Sequence, residues 1–541
     1  MKLIILTDKI MILTRRGYGK FRNFCATSTI NMTNESSKKR QLSPSSMHAN
    51  SREAQYAVRG SVALKAMSIQ KKLNSSEGAS LPFKTLISCN IGNPQALGQK
   101  PITFIRQVAA ACTYPDLLTI PGIFPNDVVS RARAYLANTD RGFGVGSYTD
   151  SHGLPLVREE VARFISERDG FPADPNLIAL TTGASEGVRR VIQALMATPE
   201  DGLMISAPQY PLYACSITMC GGNIVFYNLN EVHEWTIDES ELNRAYNEAT
   251  SNGINVRGLV VINPGNPVGA VLSKDVIKSV ISFANQRNLL LFADEVYQAN
   301  IYSDSKRFHS FKKCLRELQH DFPGEYDNQQ LVSFHTISKG LIGECGQRGG
   351  YLEYVGFSEA MMLQFRKLAA STLSSNTIGQ IIMGIMVNPP QPGDESYPLY
   401  AAETEEIFEA LKRRADKLYK KLNELEGVSC QPIEGAMYAF PTITIPQKAI
   451  EEAKARGIPA DEMYCLDMVE EAGIVTVPGS GFGQREGTYH FRTTILPSED
   501  EIDQVIERLG KFHSKWLARY GGLSENSSNG EYRSGAAAEA F

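Results

Sequence analysis

The feature that most constrains this chain is an alternation. Short, wholly apolar runs are each followed by a break rich in Gly, Ser, Asn or Pro, and then by a stretch with helical periodicity. "LIAL" (177–180) runs into "TTGASEG" and on into "VRRVIQALM". "RGLVVINPGNPVG" (257–269) is a strand breaking into a loop, and "KDVIKSVISFANQRN" behind it places Val276, Val280 and Phe283/Ala284 on one side of a helix. "LLLFADEVY" (289–297) and "LVSFHTISKG" (331–340) repeat the strand pattern, while "PLVREEVARFISERDG" (155–170) aligns Val157, Val161, Phe164 and Ile165 as a helical face. Short runs that are continuously apolar belong to strands buried on both faces, as in a mainly parallel sheet covered by helices. The fold class is therefore α/β, and in such sheets ligands gather beyond the carboxyl ends of the strands. The unusual polar residues fall there: Gly183–Ser185, Asn266, Asp294, Tyr297 and Lys339.

A chain of 541 residues is too long for one small core and suits a large domain with a smaller partner. "NPPQPGDESYP" (388–398) is the clearest internal boundary. Beyond it come a charged amphipathic helix, short strands at "AMYAFPTI" and "YHFRTTIL", and a last helix, which together read as a smaller α+β domain. The expected partition is a basic leader (1–50), an N-terminal arm with part of the small domain (51–145), the large domain (146–387), the C-terminal small domain (388–520) and a small, polar tail read as disordered (521–541). The leader carries nine Lys/Arg against Asp8 and Glu35, a net of +7, so the total of −4 leaves −11 on the rest. Basic, acid-poor and rich in Ser, Thr and Asn, it resembles an organellar transit peptide and points to mitochondria. The plainer reading is a disordered tail on a cytoplasmic protein. The overall charge asks for neither nucleic acid nor a membrane surface, and no apolar run is long enough to span a bilayer. Nine cysteines without C-x-x-C spacing or a His cluster argue against metal sites.

The chemistry-bearing residues are read one at a time. Lys339 ends an apolar strand, where a partly desolvated amine becomes a nucleophile toward carbonyls; the plain alternative is a surface lysine. Asp294 in "ADEVY" is either a turn cap or a carboxylate paired with a cationic ring nitrogen, as pyridoxal phosphate chemistry requires. Tyr297 and Asn266 could reach that cofactor's phenolic oxygen, although Asn266 also suits a plain turn. "TTGASEG" opens a helix, whose N-terminal amides bind phosphate, and Ser185, Thr336, Ser338 and Arg348 are further donors for the same group. Tyr210 in "SAPQYPLY" could stack on a ring or sit in the core. Arg492, embedded in the apolar strand "YHFRTTIL", needs a partner, either a substrate carboxylate or an internal salt bridge.

"NPGNPVG", "DEVY" and "ISKG…R-G" together resemble the fold-type I, class I/II aminotransferases. "YAVRG" (56–60), "CNIGNPQALGQKPITFIRQV" (89–108), "GSYTDSHG" (146–153), "APQYPLY", "HTISKGLIGECGQRGGY" and "VPGSGFGQREGTYHFRTTILP" (477–497) are similar to the eukaryotic alanine aminotransferase branch, over most of residues 52–515. The resemblance implies a fold-type I transferase dependent on pyridoxal 5′-phosphate, with 146–387 as its cofactor-binding domain. Lys339 would anchor the aldehyde, Asp294 would pair the ring nitrogen, and Asn266 and Tyr297 would bond the phenolic oxygen. Tyr210 would stack. Ala184, Ser185, Thr336 and Arg348 would hold the phosphate, with the division of labour between Thr336 and Ser338 open. Arg492 would hold the substrate carboxylate, with Gly92 nearby. Tyr148 would reach the phosphate of a neighbouring subunit, which implies a homodimer. Lys339 and Arg348 stand nine residues apart, one more than is common in the wider superfamily. The expected reaction interconverts L-alanine plus 2-oxoglutarate with pyruvate plus L-glutamate. A glutamate/alanine–glyoxylate aminotransferase on the same fold is the first alternative, and a non-catalytic regulator on that fold is a distant second.

Overall fold

The computed structural model describes residues 42–523 apart from 57–59 and 143. The leader up to residue 41, three residues of "YAVRG" and the tail from 524 onward lie outside the described residues. Seven strands form the central sheet: β1 (Ile178–Thr181), β2 (Asp201–Ala207), β3 (Asn223–Asn228), β4 (Asn255–Ile262), β5 (Leu290–Asp294), β6 (Leu331–Thr336) and β7 (Gly350–Val355). Their order is β1-β7-β6-β5-β4-β2-β3. β7 runs antiparallel to both neighbours and the other pairings are parallel. The sheet is mainly parallel, as the unbroken apolar runs predict.

Both faces are buried, and alternate residues show it. Leu259, Val261, Leu291 and Ala293 face a core shared with helices Glu239–Ser251, Lys274–Gln286 and Phe311–Asp321. Val260, Phe292, Val332 and Phe334 face helices Ala184–Leu195, Leu212–Met219 and Glu359–Ala370 on the other side. On the Lys274–Gln286 helix the buried face is Ile277, Val280, Ile281, Phe283 and Ala284, with Val276 only half-buried. A third core joins helices Thr103–Thr113, Asn126–Ala137, Pro155–Asp169 and Thr377–Val387 to Ile178, Leu180 and Tyr351 at the β1 edge.

The smaller body has its own core, running from Val62, Ile69, Phe83 and Ile87 to Leu411, Met463, Phe491 and Trp516. Its three-stranded antiparallel sheet contains β8 (Tyr438–Ala439), β9 (Val477–Pro478) and β10 (Phe491–Thr494), with β10 in the middle. Ile87–Ser88 pairs in parallel with Ile474–Val475, which ties the N-terminal arm to this body. The helix Tyr397–Leu422 bridges the two bodies: Tyr400 packs against the β1-edge core, and Leu411, Leu418 and Leu422 lie in the smaller one. The last helix, Glu499–Arg519, starts with a capping box between Ser498 and Glu501. No described helix is long and apolar enough to cross a membrane.

Candidate active site

Most of the candidate residues converge because they follow the carboxyl ends of strands of the central sheet. β1 ends at Thr181 and opens through Gly183 into the helix Ala184–Leu195. β2 leads to Tyr210, β4 to Asn266 and β6 to Lys339, while β5 ends on Asp294 itself. Arg348 arrives by a different route. Because β7 is antiparallel, its first residue, Gly350, pairs with both Thr336 and Thr181. The residue two positions before it is thus delivered to the edge where Lys339 stands.

At one end of the site the Arg348 guanidinium donates to Ser338 Oγ at 3.2 Å, Ser185 Oγ at 3.3 Å and the Thr182 carbonyl at 3.2 Å. Its hydrogen bonds go to hydroxyl and carbonyl oxygens, not to a carboxylate. Gly183 has φ +77°, and a Cβ there would collide with the guanidinium, so a glycine is required. Arg348 itself is left-handed at φ +54°. Ser338 faces Arg348, whereas Thr336 Oγ1 donates to the Gly349 carbonyl at 2.8 Å and so backs the turn. A cation with neutral hydrogen-bond partners beside the N-terminus of a helix is an arrangement suited to an anion.

In the middle, Asp294 is buried. Its Oδ2 accepts from the Tyr213 hydroxyl at 2.7 Å, while Oδ1 is buried without a partner. Burial pushes the carboxyl up to about 6, opposed by the Tyr213 hydrogen bond, the Val296 backbone amide and the nearby charge of Lys339. Lys339 is half-buried and donates from Nζ to the Gly92 carbonyl at 2.6 Å. A Cβ on Gly92 would collide with the Tyr438 hydroxyl and press on Lys339 Nζ, so only glycine fits there.

At the other end stands Arg492, on β10 and 1% exposed. It donates from Nη2 to the Asn90 carbonyl at 2.6 Å and from Nη1 to Asn266 Oδ1 at 3.1 Å, and its Nε is buried without a partner. These acceptors are neutral, so its hydrogen bonding does not include the internal salt bridge allowed by the sequence. The Tyr297 hydroxyl donates to the Tyr438 hydroxyl at 3.3 Å, and the Tyr210 hydroxyl shares a 2.7 Å hydrogen bond with that of Tyr56. Tyr148 stands apart on the surface, 69% exposed.

Three residues of this arrangement escape the sequence reading. Tyr213 caps Asp294 from the start of the Leu212–Met219 helix, Tyr438 lies between Lys339 and Arg492, and Tyr56 touches Tyr210. Tyr438 had a local signal, its place in the short strand of "AMYAFPTI". Tyr213 had only its position three residues after Tyr210.

Residues 122–509 match the family described as aminotransferase class I and II. The chain belongs to this family. The aminotransferase is 46% identical over 489 residues to a Dictyostelium discoideum protein described as a probable mitochondrial alanine aminotransferase, covering 89% of this chain and 90% of that one. It is 47% identical over 477 residues to glutamate–glyoxylate aminotransferase 1 of Arabidopsis thaliana, covering 88% and 96% of the two chains. Among solved structures, an alanine aminotransferase from Pyrococcus furiosus superposes with a TM-score of 0.68 at 22% identity, covering 86% and 99%, a likeness of fold. The aminotransferase is an α/β enzyme of fold type I, and its cofactor is pyridoxal 5′-phosphate.

Proposed function

We propose that the enzyme interconverts L-alanine plus 2-oxoglutarate with pyruvate plus L-glutamate. The observation that carries the reading is a buried Arg492 with only neutral acceptors, whose ring neighbour Tyr438 also borders the Lys339 amine beside Gly92, with the charge of that amine acting on the buried Asp294, whose Oδ1 has no partner. Those are the three complements a bound amino acid and a cationic ring demand: a fork for a carboxylate, a proton carrier, and a counter-charge. Relatives described as alanine aminotransferases support the substrate pair.

The residues present fit the cofactor. Arg348, Ser185, Ser338 and the amides at Ala184 and Ser185 would receive its phosphate, with Thr336 bracing the turn. Asp294 Oδ1 would face the ring nitrogen, Asn266 and Tyr297 the phenolic oxygen, and Tyr210 the ring face. The cofactor supplies an aldehyde that takes up an amino group and a cationic ring that accepts electrons. Lys339 Nζ would hold the aldehyde until a substrate amine takes its place, and the freed amine would then carry the substrate's α-proton. Asp294 would favour the protonated ring nitrogen by placing a carboxylate beside it. Arg492 grips the α-carboxylate of either amino acid, with Gly92 lining the approach. The two keto acids thus use one site in turn, which gives ping-pong kinetics.

A second reading, with glyoxylate as the preferred acceptor, is favoured by the 47% identity to the Arabidopsis enzyme. The test is kcat/KM for alanine, glutamate, aspartate and glycine with pyruvate, 2-oxoglutarate and glyoxylate. Alanine with 2-oxoglutarate and glutamate with pyruvate lead, aspartate lies far behind, and Arg492→Lys weakens alanine and glutamate together because an ammonium cannot reproduce the fork. Glyoxylate outrunning both other acceptors replaces this reading with the second.

The leader's charge and the mitochondrial description of the Dictyostelium relative support a mitochondrial address, and the exposed Tyr148 suits reaching a partner's site in a homodimer. A reporter fused to residues 1–50 that stays in the cytosol, or a purified enzyme that sediments at a single chain's 59.6 kDa, contradicts one or the other.

A further inference from the structure

Arg492 poses a physical problem: a guanidinium 1% exposed, without a carboxylate among its hydrogen-bond partners and with one nitrogen unsatisfied. A buried cation normally requires a counter-charge. Two aromatic rings of the smaller body answer it. The guanidinium carbon lies 4.2 Å from the centroid of Tyr438 and 4.8 Å from that of Phe482. A cation over a ring face is attracted by the ring's quadrupole, and the attraction grows when water is excluded. Phe482 is fully buried and braced in turn: its ring meets Phe440 edge to face at 5.8 Å, and Phe440 stacks on His490 at 4.7 Å. The His490 ring reaches Glu231 at 3.1 Å, so the brace ends on a loop that follows β3 of the large sheet. Tyr438 is held by its pairing with Thr494 on β10 and by the hydrogen bond from Tyr297.

We infer that Tyr438 and Phe482 are positioning residues that hold the buried Arg492 guanidinium correctly turned to receive a substrate carboxylate. The inference rests on the reading of Arg492 as the carboxylate clamp. A two-pronged contact works only when the plane of the guanidinium is set beforehand, and ring faces packed against it restrict that plane. The Tyr438 hydroxyl has a separate contact, with Tyr297, so the ring and the hydroxyl can be tested apart.

The experiment uses the enzyme loaded with cofactor, in the variants Tyr438→Phe, Tyr438→Leu and Phe482→Leu. The readouts are KM and kcat for alanine and glutamate, the inhibition constant of propanoate (a carboxylate with no amine to react) and the cofactor dissociation constant. Both leucine variants raise the two KM values and the propanoate constant together by about tenfold or more, the size of a desolvated cation–ring contact. In Phe482→Leu, which touches none of the proposed cofactor contacts, kcat and cofactor affinity stay within about twofold, the signature of lost ground-state binding. Tyr438→Phe, which keeps the ring, leaves propanoate binding at the parent value. Leucine variants that bind propanoate as tightly as the parent, or more tightly, overturn the inference. So does a parallel fall in kcat and cofactor affinity in Phe482→Leu, which marks a general collapse of the site. Arg492→Lys, assayed alongside, separates the two levels. If it leaves propanoate binding intact, the clamp itself is wrong; if it abolishes binding while the leucine variants do not, only the aromatic support is wrong.

Discussion

Lys339→Ala yields a folded protein that retains its cofactor and has lost turnover, with kcat down on the order of 10⁴-fold, the upper range for a positioned acid–base group. The fold survives because Lys339 is only half-buried and its amine makes one hydrogen bond, to the Gly92 carbonyl at 2.6 Å. Losing it costs about 1–3 kcal/mol, within what a domain tolerates. Cofactor is retained because the proposed phosphate contacts, Arg348, Ser185 and Ser338, belong to another part of the pocket. The change also removes a cation whose charge lowers the Asp294 carboxyl, so Asp294 rises further in the variant. Steady-state transamination measures the first effect. Borohydride reduction of the loaded parent enzyme, followed by mass spectrometry of its peptides, locates the attached lysine. Substantial residual turnover, or attachment at another lysine, sinks the assignment.

How much of this was legible in the sequence depends on how local each signal is. Asp294, Lys339 and Asn266 declare themselves because an apolar strand stops at or just before each, and the stopping point is written in consecutive residues. Ser185 is legible for the same reason, at the seam where β1 gives way to a helix. The direction of β7 is not legible: "GYLEYV" looks the same whether it runs up or down the sheet, and only pairing with Thr181 and Thr336 decides it. Tyr213 is hidden because its ring stays buried while its hydroxyl alone reaches the site, so nothing separates it from a core tyrosine until Asp294 is placed. Tyr438 lies in a stretch that reads as a strand, but as partners of Arg492 it and Phe482 are hidden by distance along the chain. They meet Arg492 through a small sheet whose strands β8 and β9 have two residues each, too short for any periodicity to show. The same reasoning applies to Ile87–Ser88, which joins a core built mostly from residues beyond 400.

Asp294→Asn lowers the rate of the alanine half-reaction by about 10²–10³-fold while leaving the fold intact, the usual cost of removing a well-placed electrostatic partner. The amide is nearly isosteric, and its oxygen can still accept from Tyr213. The atom replaced is functionally the other one, Oδ1, buried without a partner and so available to a cationic nitrogen. An amide cannot hold that nitrogen protonated, and the ring then accepts electrons poorly. The same carboxylate predicts opposite pH trends in the two forms of the protein. In the cofactor-free protein burial raises Asp294 from 3.8 to about 6, so its charged form is the disfavoured one. The stability linked to this group is therefore fully present below the unfolded value and is lost as pH rises through about 6. A cationic ring opposite Oδ1 favours the charged form, so cofactor affinity weakens as pH falls through about 6. Asp294→Asn abolishes both dependences. The checks are single-turnover loss of the bound cofactor's visible absorbance on adding alanine, and cofactor dissociation constants and thermal midpoints of both proteins from about pH 7 to about pH 5. An unchanged half-reaction rate in Asp294→Asn reduces the residue to a structural partner of Tyr213. Identical pH trends in parent and variant place the titrating group elsewhere in the site.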